Sequence, residues 1–303
     1  MKTIFYYLIF PGFLFSVIAG LMACWIDRKV SARIQWRVGP PWYQNFIDII
    51  KLSGKEIIVP EGAKITFLLA PFIGLLSLSL VAAILGVSIL NPSQGFIGDL
   101  IVVLYLLMIP AVSLIIGAFS SRNPLASLGA SREMKLILGY ELPFILAIVA
   151  IILRSASAIQ LGPIIQQQLF FGSNIFSYSG AAAFVVALIC MQAKLGLAPF
   201  DISEAEQEIV GGVLIEYSGL PLAIFKLTKA LLLYAMPLLL ISLFLGKDTG
   251  PLFISLKYIG ILVIIILIKN TNPRLRVDQA LRFFWGPVTM LAVIAVVLAL
   301  FGL

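Results

Sequence analysis

The sequence predicts an all-α polytopic membrane protein with about eight transmembrane helices, folded as a single membrane domain over residues 1–303. Its mean hydropathy is +1.10, far above that of soluble proteins. Hydrophobic residues make up 61% of the chain and charged residues only 12%. Apolar runs recur along the sequence, and each suits the ~20 residues that a helix needs to cross a bilayer. This length leaves no room for a sizeable soluble domain.

The apolar runs give the helices in order. They lie at about 4–25, 65–90, 97–120, 137–153, 179–197, 220–246, 252–269 and 283–302. Between the first two runs, apolar residues from Phe46 to Ile57 alternate with charged ones, which predicts a short amphipathic helix on the membrane surface. The fourth run is short. We expect its helix to start at Tyr140-Glu141-Leu142-Pro143, because proline is favoured in the first turn.

Basic residues concentrate in alternate loops. The loops after the first, third, fifth and seventh runs carry nearly all of them, whereas the other loops hold only Arg154, Lys247 and Lys257. The positive-inside rule therefore places the charged loops in the cytoplasm and both termini on the outer side. This bias explains the net charge of +7, so a nucleic-acid partner is not needed to account for it.

The residue types exclude most redox and metal chemistry in this chain. It has no histidine, which removes haem ligation by histidine, most zinc and copper sites and every serine–histidine pair. Cys24 and Cys190 are far apart in apolar runs, and an iron–sulfur cluster needs about four cysteine ligands. We therefore expect no catalytic residue, cofactor or metal in this chain.

A cluster of carboxylates follows the fifth run and is the first candidate site. Asp201, Glu204, Glu206 and Glu208 fall within eight residues, and Glu216 comes soon after. Carboxylates beside a membrane are expensive unless they are paired, hydrated or protonated, so we interpret the cluster as an ion pathway. Mutual repulsion would raise some of their pKa values toward neutrality and let them exchange protons.

The expected local structure leaves a second interpretation of this cluster open. Pro199 indicates a helix start, and on a helix Asp201, Glu204 and Glu208 would share one face. Asp201 as N-cap and Glu204 in the first turn would then stabilise that helix. Capping explains only one or two of the acids, so we favour ion relay over capping alone.

Two acid–phenol neighbours extend the candidate pathway. Tyr140-Glu141 begins the fourth run, and Glu216-Tyr217 follows the acidic cluster. Proton paths use such chains of acids, tyrosines and water. A glutamate at a helix N-terminus is also a common cap, so a structural role stays open here as well.

Charged residues in the predicted cytoplasmic loops form a candidate docking face for another protein, because their mixed charge goes beyond what topology requires. Ordinary solvated loops, or an interfacial anchor with snorkelling cations, are the alternatives. The candidate docking residues are Arg28, Lys29, Arg33, Arg37, Lys55, Glu56, Arg274, Arg276 and Asp278.

Several motifs stand in an order that resembles one family over nearly the whole chain. They are Asp27-Arg28-Lys29, Arg33-Ile34-Gln35, Arg37-Val38-Gly39-Pro40, Lys55-Glu56, Gly139-Tyr140-Glu141-Leu142, Ala198-Pro199-Phe200-Asp201, Glu216-Tyr217-Ser218-Gly219 and Arg274-Leu275-Arg276-Val277-Asp278-Gln279. The chain resembles the membrane subunit shared by respiratory complex I, where it is the H subunit or NADH dehydrogenase subunit 1, and the energy-converting [NiFe] hydrogenases. The resemblance implies eight transmembrane helices.

Departures from the respiratory pattern favour the hydrogenase branch. Complex I subunits typically read Glu-Thr-Asn-Arg before Ala-Pro-Phe-Asp, whereas this chain reads Lys194-Leu195-Gly196-Leu197. Pro41 and Gln207 stand where the respiratory form usually has Asn and Ser. The chain therefore resembles the membrane-anchor subunit of an Ech-type or formate-hydrogenlyase-like hydrogenase in the plasma membrane of a prokaryote.

This resemblance implies a set of partners and a coupling role. The partners would be the hydrogenase large and small subunits with the [NiFe] centre and iron–sulfur clusters, an iron–sulfur subunit and an antiporter-like membrane subunit. Electrons from ferredoxin or formate would drive hydrogen evolution there, coupled to proton or sodium movement. A quinone-site subunit of complex I, a secondary transporter and a purely structural anchor stay open as alternatives. The absence of an evident repeat argues against the transporter.

Overall fold

The computed structural model describes residues 6–63, 65–155, 157–248 and 250–302, except the side chains of Gln94, Glu206 and Gln207. This part of the chain contains helices and loops and no strand, which confirms the predicted fold class. The α-helices are α1 (Phe13–Ile34), α2 (Gln44–Ser53), α3 (Ile65–Leu90), α4 (Asp99–Ser120), α5 (Pro124–Arg154), α6 (Leu161–Phe171), α7 (Tyr178–Lys194), α8 (Glu206–Ile209), α9 (Gly219–Phe244), α10 (Pro251–Thr271), α11 (Val277–Phe283) and α12 (Thr289–Leu300).

Seven helices of the described chain are long and apolar enough to cross a membrane. The first runs from Tyr6 to the end of α1, and the last joins α11 to α12 through a π-helical segment at Phe284–Val288. The others are α3, α4, α5, α9 and α10. Helix α7 is equally apolar but has only 17 residues. With α7 included, the count agrees with the predicted eight spans.

Helix α5 begins well before the expected position. Its N-cap is Asn123, whose side-chain oxygen accepts a hydrogen bond from the Leu125 N–H at 2.8 Å, and Pro124 occupies the first helical position. This pair supplies a strong start signal. The expected start at Tyr140–Pro143 is therefore wrong, since Glu141 and Pro143 both lie inside a 31-residue helix.

Helix α9 is the centre of the bundle. It packs against α1, α3, α7 and α10, and its Leu231, Ala235 and Leu239 are fully buried. Helix α1 comes closest at Gly20, where an added Cβ would lie 2.5 Å from the carbonyl oxygen of Ala230. Small residues allow this approach between membrane helices, where packing supplies much of the association energy.

The predicted surface helix is present as α2, although it ends at Ser53 rather than near Ile57. Asn45 fixes it to the bundle, because its buried amide donates a hydrogen bond to the carbonyl of Leu21 at 3.0 Å. On the far side of α2, Ile50 is exposed. The helix therefore lies against the end of α1 with apolar side chains available to lipid.

One end of the bundle gathers most of the charged residues, and we call it the charged face. It contains the ends of α1, α4, α7 and α10 and the starts of α3, α5, α9 and α11. Contacts between distant segments join its loops. The Ile58 N–H donates to the Ser218 hydroxyl at 2.9 Å, and the Leu275 N–H donates to the Pro199 carbonyl at 3.0 Å. Its cytoplasmic location stays a prediction.

The close approach of α1 and α9 leads to a first prediction. Gly20→Ala should destabilise the protein by about 1–3 kcal/mol, because the new methyl group overpacks the helix interface. Thermal unfolding of the purified complex would measure this loss. The matched control is Gly260→Ala on α10, where nothing lies within 4 Å of the added Cβ. Equal melting temperatures for the two variants would contradict the proposed helix contact.

Candidate functional site

Residues 195–218 connect α7 to α9 on the charged face, and we call them the acidic loop. Between Pro199 and Ala205 the chain is not helical, and α8 is only four residues long. The expected helix with three acids on one face is therefore wrong, and Asp201 is not an N-cap. The backbone is held by contacts outside the loop, which outweigh the local helix signal.

The acids of this loop do not form a repelling cluster, because Asp201, Glu204 and Glu208 each pair with a different cation. The ion pairs join Asp201 to Arg274 at 2.7 Å, Glu204 to Lys229, and Glu208 to Arg132. The three cations belong to the loop before α11, to α9 and to α5. One Asp201 oxygen, Oδ1, is buried with no described hydrogen-bond partner. The side chain of Glu206 lies outside the described residues.

Glu216 and Tyr217 sit at the other end of the acidic loop in structural contacts. Glu216 accepts a hydrogen bond from the side-chain amide of Asn123, the N-cap of α5. The Tyr217 hydroxyl donates to the Phe67 carbonyl of α3 at 3.1 Å, and the two rings stack with centroids 4.2 Å apart. Burial raises the pKa of Tyr217 well above its ordinary value, so its hydroxyl stays protonated at neutral pH.

A second ion pair lies inside the bundle. Lys194, the last residue of α7, places its ammonium 3.0 Å from Oε2 and 3.3 Å from Oε1 of Glu141 on α5. The Lys194 side chain is only 1% exposed and that of Glu141 15%. The ammonium also lies 4.8 Å from the ring centre of Phe144 and 5.7 Å from that of Tyr140, within the range of cation–π attraction.

A partly open cavity of about 50 Å³ lies between this pair and the acidic loop. That volume holds about three water molecules. Apolar side chains such as Leu107 and Phe225 form part of its wall, and its polar lining is made by Glu133, Lys194, Ser203, Glu204, Thr228 and Lys229. The cavity therefore brings acids and amines from α5, α7, α9 and the acidic loop to one water-sized space.

Glu133 and Lys194 were not among the predicted site residues. Glu133 is only 6% exposed, and it lines the cavity together with Ser203. The sequence signal that could have placed Glu133 inside a helix is the helix start at Asn123-Pro124. That start puts Glu133 inside α5 rather than in a loop. Lys194 stands out in the sequence only as a departure from the respiratory pattern. Its role as the partner of Glu141 depends on the packing of α7 on α5.

Together these groups form a polar route from the acidic loop into the bundle. Glu204 belongs to the acidic loop and also lines the cavity, and Lys194 joins the cavity to Glu141. Titratable groups around a water-filled space inside an apolar bundle are typical of ion paths in membrane proteins. Among the described residues, no group of three acidic or cysteine side chains is placed to hold a metal ion.

The first loop forms a separate polar pocket of about 510 Å³ on the charged face. Arg28 donates to Asn45 at 2.6 Å and pairs with Asp48 at 3.2 Å, while Lys269 of α10 pairs with Asp27 at 2.8 Å. Asp48 is partly desolvated, but hydrogen bonds from Gln44 and Arg28 lower its pKa below the usual range. The pocket is therefore held by its own ion pairs.

The candidate docking residues divide into two groups. Arg28 and Arg274 form the internal ion pairs described above and fix the loops in place. The other basic residues, and Glu56 and Asp278, have no ion pair in the described part of the chain. Trp36, between Arg33 and Arg37, is 98% exposed. The exposed or partly exposed residues of this second group are Lys29, Arg33, Arg37, Lys55, Glu56, Arg276 and Asp278.

Comparison with known proteins establishes the family. The model of the NADH dehydrogenase family matches residues 7–300. The chain belongs to this family. It is 34% identical to the H subunit of NADH-quinone oxidoreductase from Thermomicrobium roseum, over 93% of this chain and 91% of that protein. It is 32% identical to the corresponding protein of Brevibacillus brevis, over 93% of this chain and 89% of that protein.

A solved structure extends the comparison to the fold. The chain matches a chain in the structure of the membrane-bound sulfane sulfur reductase, an archaeal respiratory membrane complex, with a TM-score of 0.85 and 28% identity. The match covers 99% of this chain and 100% of that one. This chain is therefore a membrane subunit of the complex I-like family of H subunits, whose compared members belong to multi-subunit respiratory complexes.

The geometry of Tyr217 predicts a structural role for this residue rather than a relay role. Tyr217→Phe keeps the ring stacking and removes one buried hydrogen bond, so it should cost about 1 kcal/mol of stability and leave ion transport unchanged. Thermal unfolding and ion uptake by the reconstituted complex would measure both. Tyr178→Phe is the control, because that phenol is 78% exposed. Lost ion uptake at normal stability would support the relay role instead.

Proposed function

We propose that this chain is the membrane-anchor and ion-coupling subunit of an energy-converting [NiFe] hydrogenase complex. In this proposal it links electron transfer from ferredoxin or formate to hydrogen evolution in peripheral subunits, and to proton or sodium translocation. The observation that carries the ion-coupling role is the cavity between the acidic loop and the buried Lys194–Glu141 pair. A simple anchor would have no need for such costly buried charges.

Two observations bear on the peripheral chemistry. Lys194 replaces the glutamate of the respiratory pattern at the centre of the site, which favours a branch other than the quinone-reducing one. The compared sulfane sulfur reductase is described as a respiratory membrane complex, so relatives of this chain serve more than one redox reaction. In the proposed complex, the [NiFe] centre and the iron–sulfur clusters belong to the partner subunits.

In this proposal the partner subunits bind to the exposed part of the charged face. Arg33 and Arg37 are free of described ion pairs and flank Trp36. Tryptophan and arginine are the residue types that most often dominate binding energy at protein interfaces. The peripheral subunits would therefore contact this loop through acidic groups and an apolar pocket for the indole ring.

A second candidate is the quinone-site subunit of a complex I-type oxidoreductase. It is favoured by the names of the compared bacterial relatives, which are H subunits of NADH-quinone oxidoreductase. The polar pocket beside α1, α2 and α10 is also large enough for a small organic molecule. Purification of the complex through a tag on this chain would decide between the two. Hydrogen evolution with reduced ferredoxin or formate supports the first, and quinone reduction with NADH supports the second.

The coupling role predicts a specific defect in charge-neutralised variants. Glu204→Gln with Glu208→Gln should leave the complex assembled, because their partners Lys229 and Arg132 are partly exposed and can be hydrated. Glutamine keeps the shape but cannot cycle a proton. Ion uptake per hydrogen evolved, measured in proteoliposomes, should therefore fall.

Two further variants complete this experiment. Glu141→Gln should also uncouple, but it should lose about 3–5 kcal/mol of stability because it leaves the Lys194 ammonium buried without a counter-charge. Glu61→Gln is the matched control, since Glu61 is an exposed carboxylate of the same face. If the ratio and the rate of uptake were unchanged in both test variants, the acids would have a structural role only.

A further inference from the structure

The connection between α6 and α7 carries its polar side chains inside and its aromatic side chains outside. We call residues 168–178 the aromatic turn. Its polar side chains Gln168 and Asn174 are buried, whereas three phenylalanines are 84%, 87% and 86% exposed. A water-exposed loop would have the opposite arrangement, because large apolar groups gain by leaving water. The exposed aromatic residues of the turn are Phe170, Phe171, Phe176 and Tyr178.

The buried amides of the aromatic turn close the end of α9. The last four carbonyls of a helix have no partner within that helix. The Gln168 side-chain amide donates to the carbonyls of Ser242 and Leu243 at 2.9 and 3.1 Å, and its oxygen accepts from the Gly246 N–H at 2.7 Å. The Asn174 amide also donates to the Leu243 carbonyl, at 2.9 Å. These hydrogen bonds fix the orientation of the turn and leave its aromatic residues on the outer surface.

Charged side chains are absent from the whole connection. None occurs in the sequence between Arg154, at the end of α5, and Lys194, at the end of α7. A continuous exposed aromatic surface without charge marks an interaction site. Gln166 and Tyr178 are also exposed, so the surface keeps some polar character. It therefore suits the boundary of a bilayer, where aromatic residues concentrate, better than the centre of the hydrocarbon layer.

Neighbouring connections at the same end of the bundle expose the same kind of residue. The Asp99 carboxylate accepts a hydrogen bond from the Leu161 N–H at 2.8 Å, which places the start of α4 beside the start of α6. Just before α4, Ile97 is 88% exposed, and Leu252 and Phe253 are exposed at the start of α10. Apolar residues on three separate connections fit a belt at the membrane boundary better than a docking patch for one protein.

We propose that the aromatic turn is a lipid anchor, whose phenylalanine rings insert into the bilayer at the boundary between the headgroups and the acyl chains. The turn follows α5, which carries Glu141, and precedes α7, which carries Lys194, while Gln168 holds the end of α9. The anchor therefore fixes three helices of the candidate site relative to the membrane. This role is independent of the redox reaction that the partner subunits perform.

Photochemical crosslinking tests the lipid contact in the assembled complex. The photoreactive amino acid p-benzoylphenylalanine replaces Phe171, which keeps an aromatic ring at this exposed position. The complex is reconstituted in phosphatidylcholine nanodiscs and irradiated, and the mass of this chain is measured. We expect adducts with the lipid. A crosslink to another subunit would assign the surface to a protein partner, and the absence of any adduct would indicate a hydrated turn; either result would overturn the anchor.

Lys247 provides the matched control position for the crosslinking experiment. It is exposed, and it directly follows Gly246, which is hydrogen-bonded to Gln168 of the aromatic turn. The photoreactive residue at position 247 should give few lipid adducts, because a charged side chain at the end of α9 belongs in water. Equal adduct yields at positions 171 and 247 would show lipid contact over this whole end of the bundle and would overturn the assignment to the turn.

Cysteine labelling gives an independent measurement. In a chain with Cys24→Ala and Cys190→Ala, the variants Phe176→Cys and Lys247→Cys are treated with a charged maleimide in the same nanodiscs, which leave both faces accessible. Label on this chain is counted after electrophoresis. The thiol at position 176 should react about tenfold more slowly, because the reagent needs a hydrated thiolate. Equal rates at the two positions would show that the turn is in water and would overturn the anchor.

Discussion

The structure depends on one constraint: a charge enclosed by an apolar helical bundle must have a partner. Burial of an ion from water costs far more than most contacts contribute, so an enclosed acid requires a cation, a hydrogen-bond donor or a proton. The Lys194–Glu141 pair satisfies this requirement between α7 and α5. The packing of these two helices is thereby tied to the presence of both charges.

The same constraint shapes the acidic loop. Asp201, Glu204 and Glu208 pair with cations on three separate elements, and these pairs fix the turns of the loop against the charged face. Asp201 ties it to the loop before α11, Glu204 to α9 and Glu208 to α5. A displacement of the acidic loop therefore changes the electrostatics of all three elements together, as the proposed coupling role requires.

Hydropathy and charge patterning predicted the fold class, the number of spans and the surface helix, because these features depend on local composition. The errors arose where a distant contact decided the outcome. Pro199 suggested a helix start, yet the ion pair of Asp201 with Arg274 and the hydrogen bond from the Leu275 N–H to the Pro199 carbonyl hold the segment in a non-helical conformation. Tyr140-Glu141 looked like a helix start only because Arg132, Glu133 and Lys135 interrupt the apolar pattern between the true cap, Asn123, and the apolar run. The candidate site was predicted in part for the same reason. Its acids could be identified from their unusual placement in an apolar chain. Their partners could not, because Lys194 lies 53 residues from Glu141 in sequence and Lys229 lies 25 residues from Glu204.

The two kinds of ion pair in this chain have different physical properties, and in the proposed function this difference determines where coupling would occur. Pairs on the charged face are partly exposed, so water and salt screen them and they can open at small cost. The Lys194–Glu141 pair is enclosed and cannot open unless another group compensates it. Glu204 lies between the exposed charged face and the cavity, because it belongs to the ion pairs of the acidic loop and also lines the cavity. In the proposed function, a change at the docking surface would reach the enclosed charges through this residue.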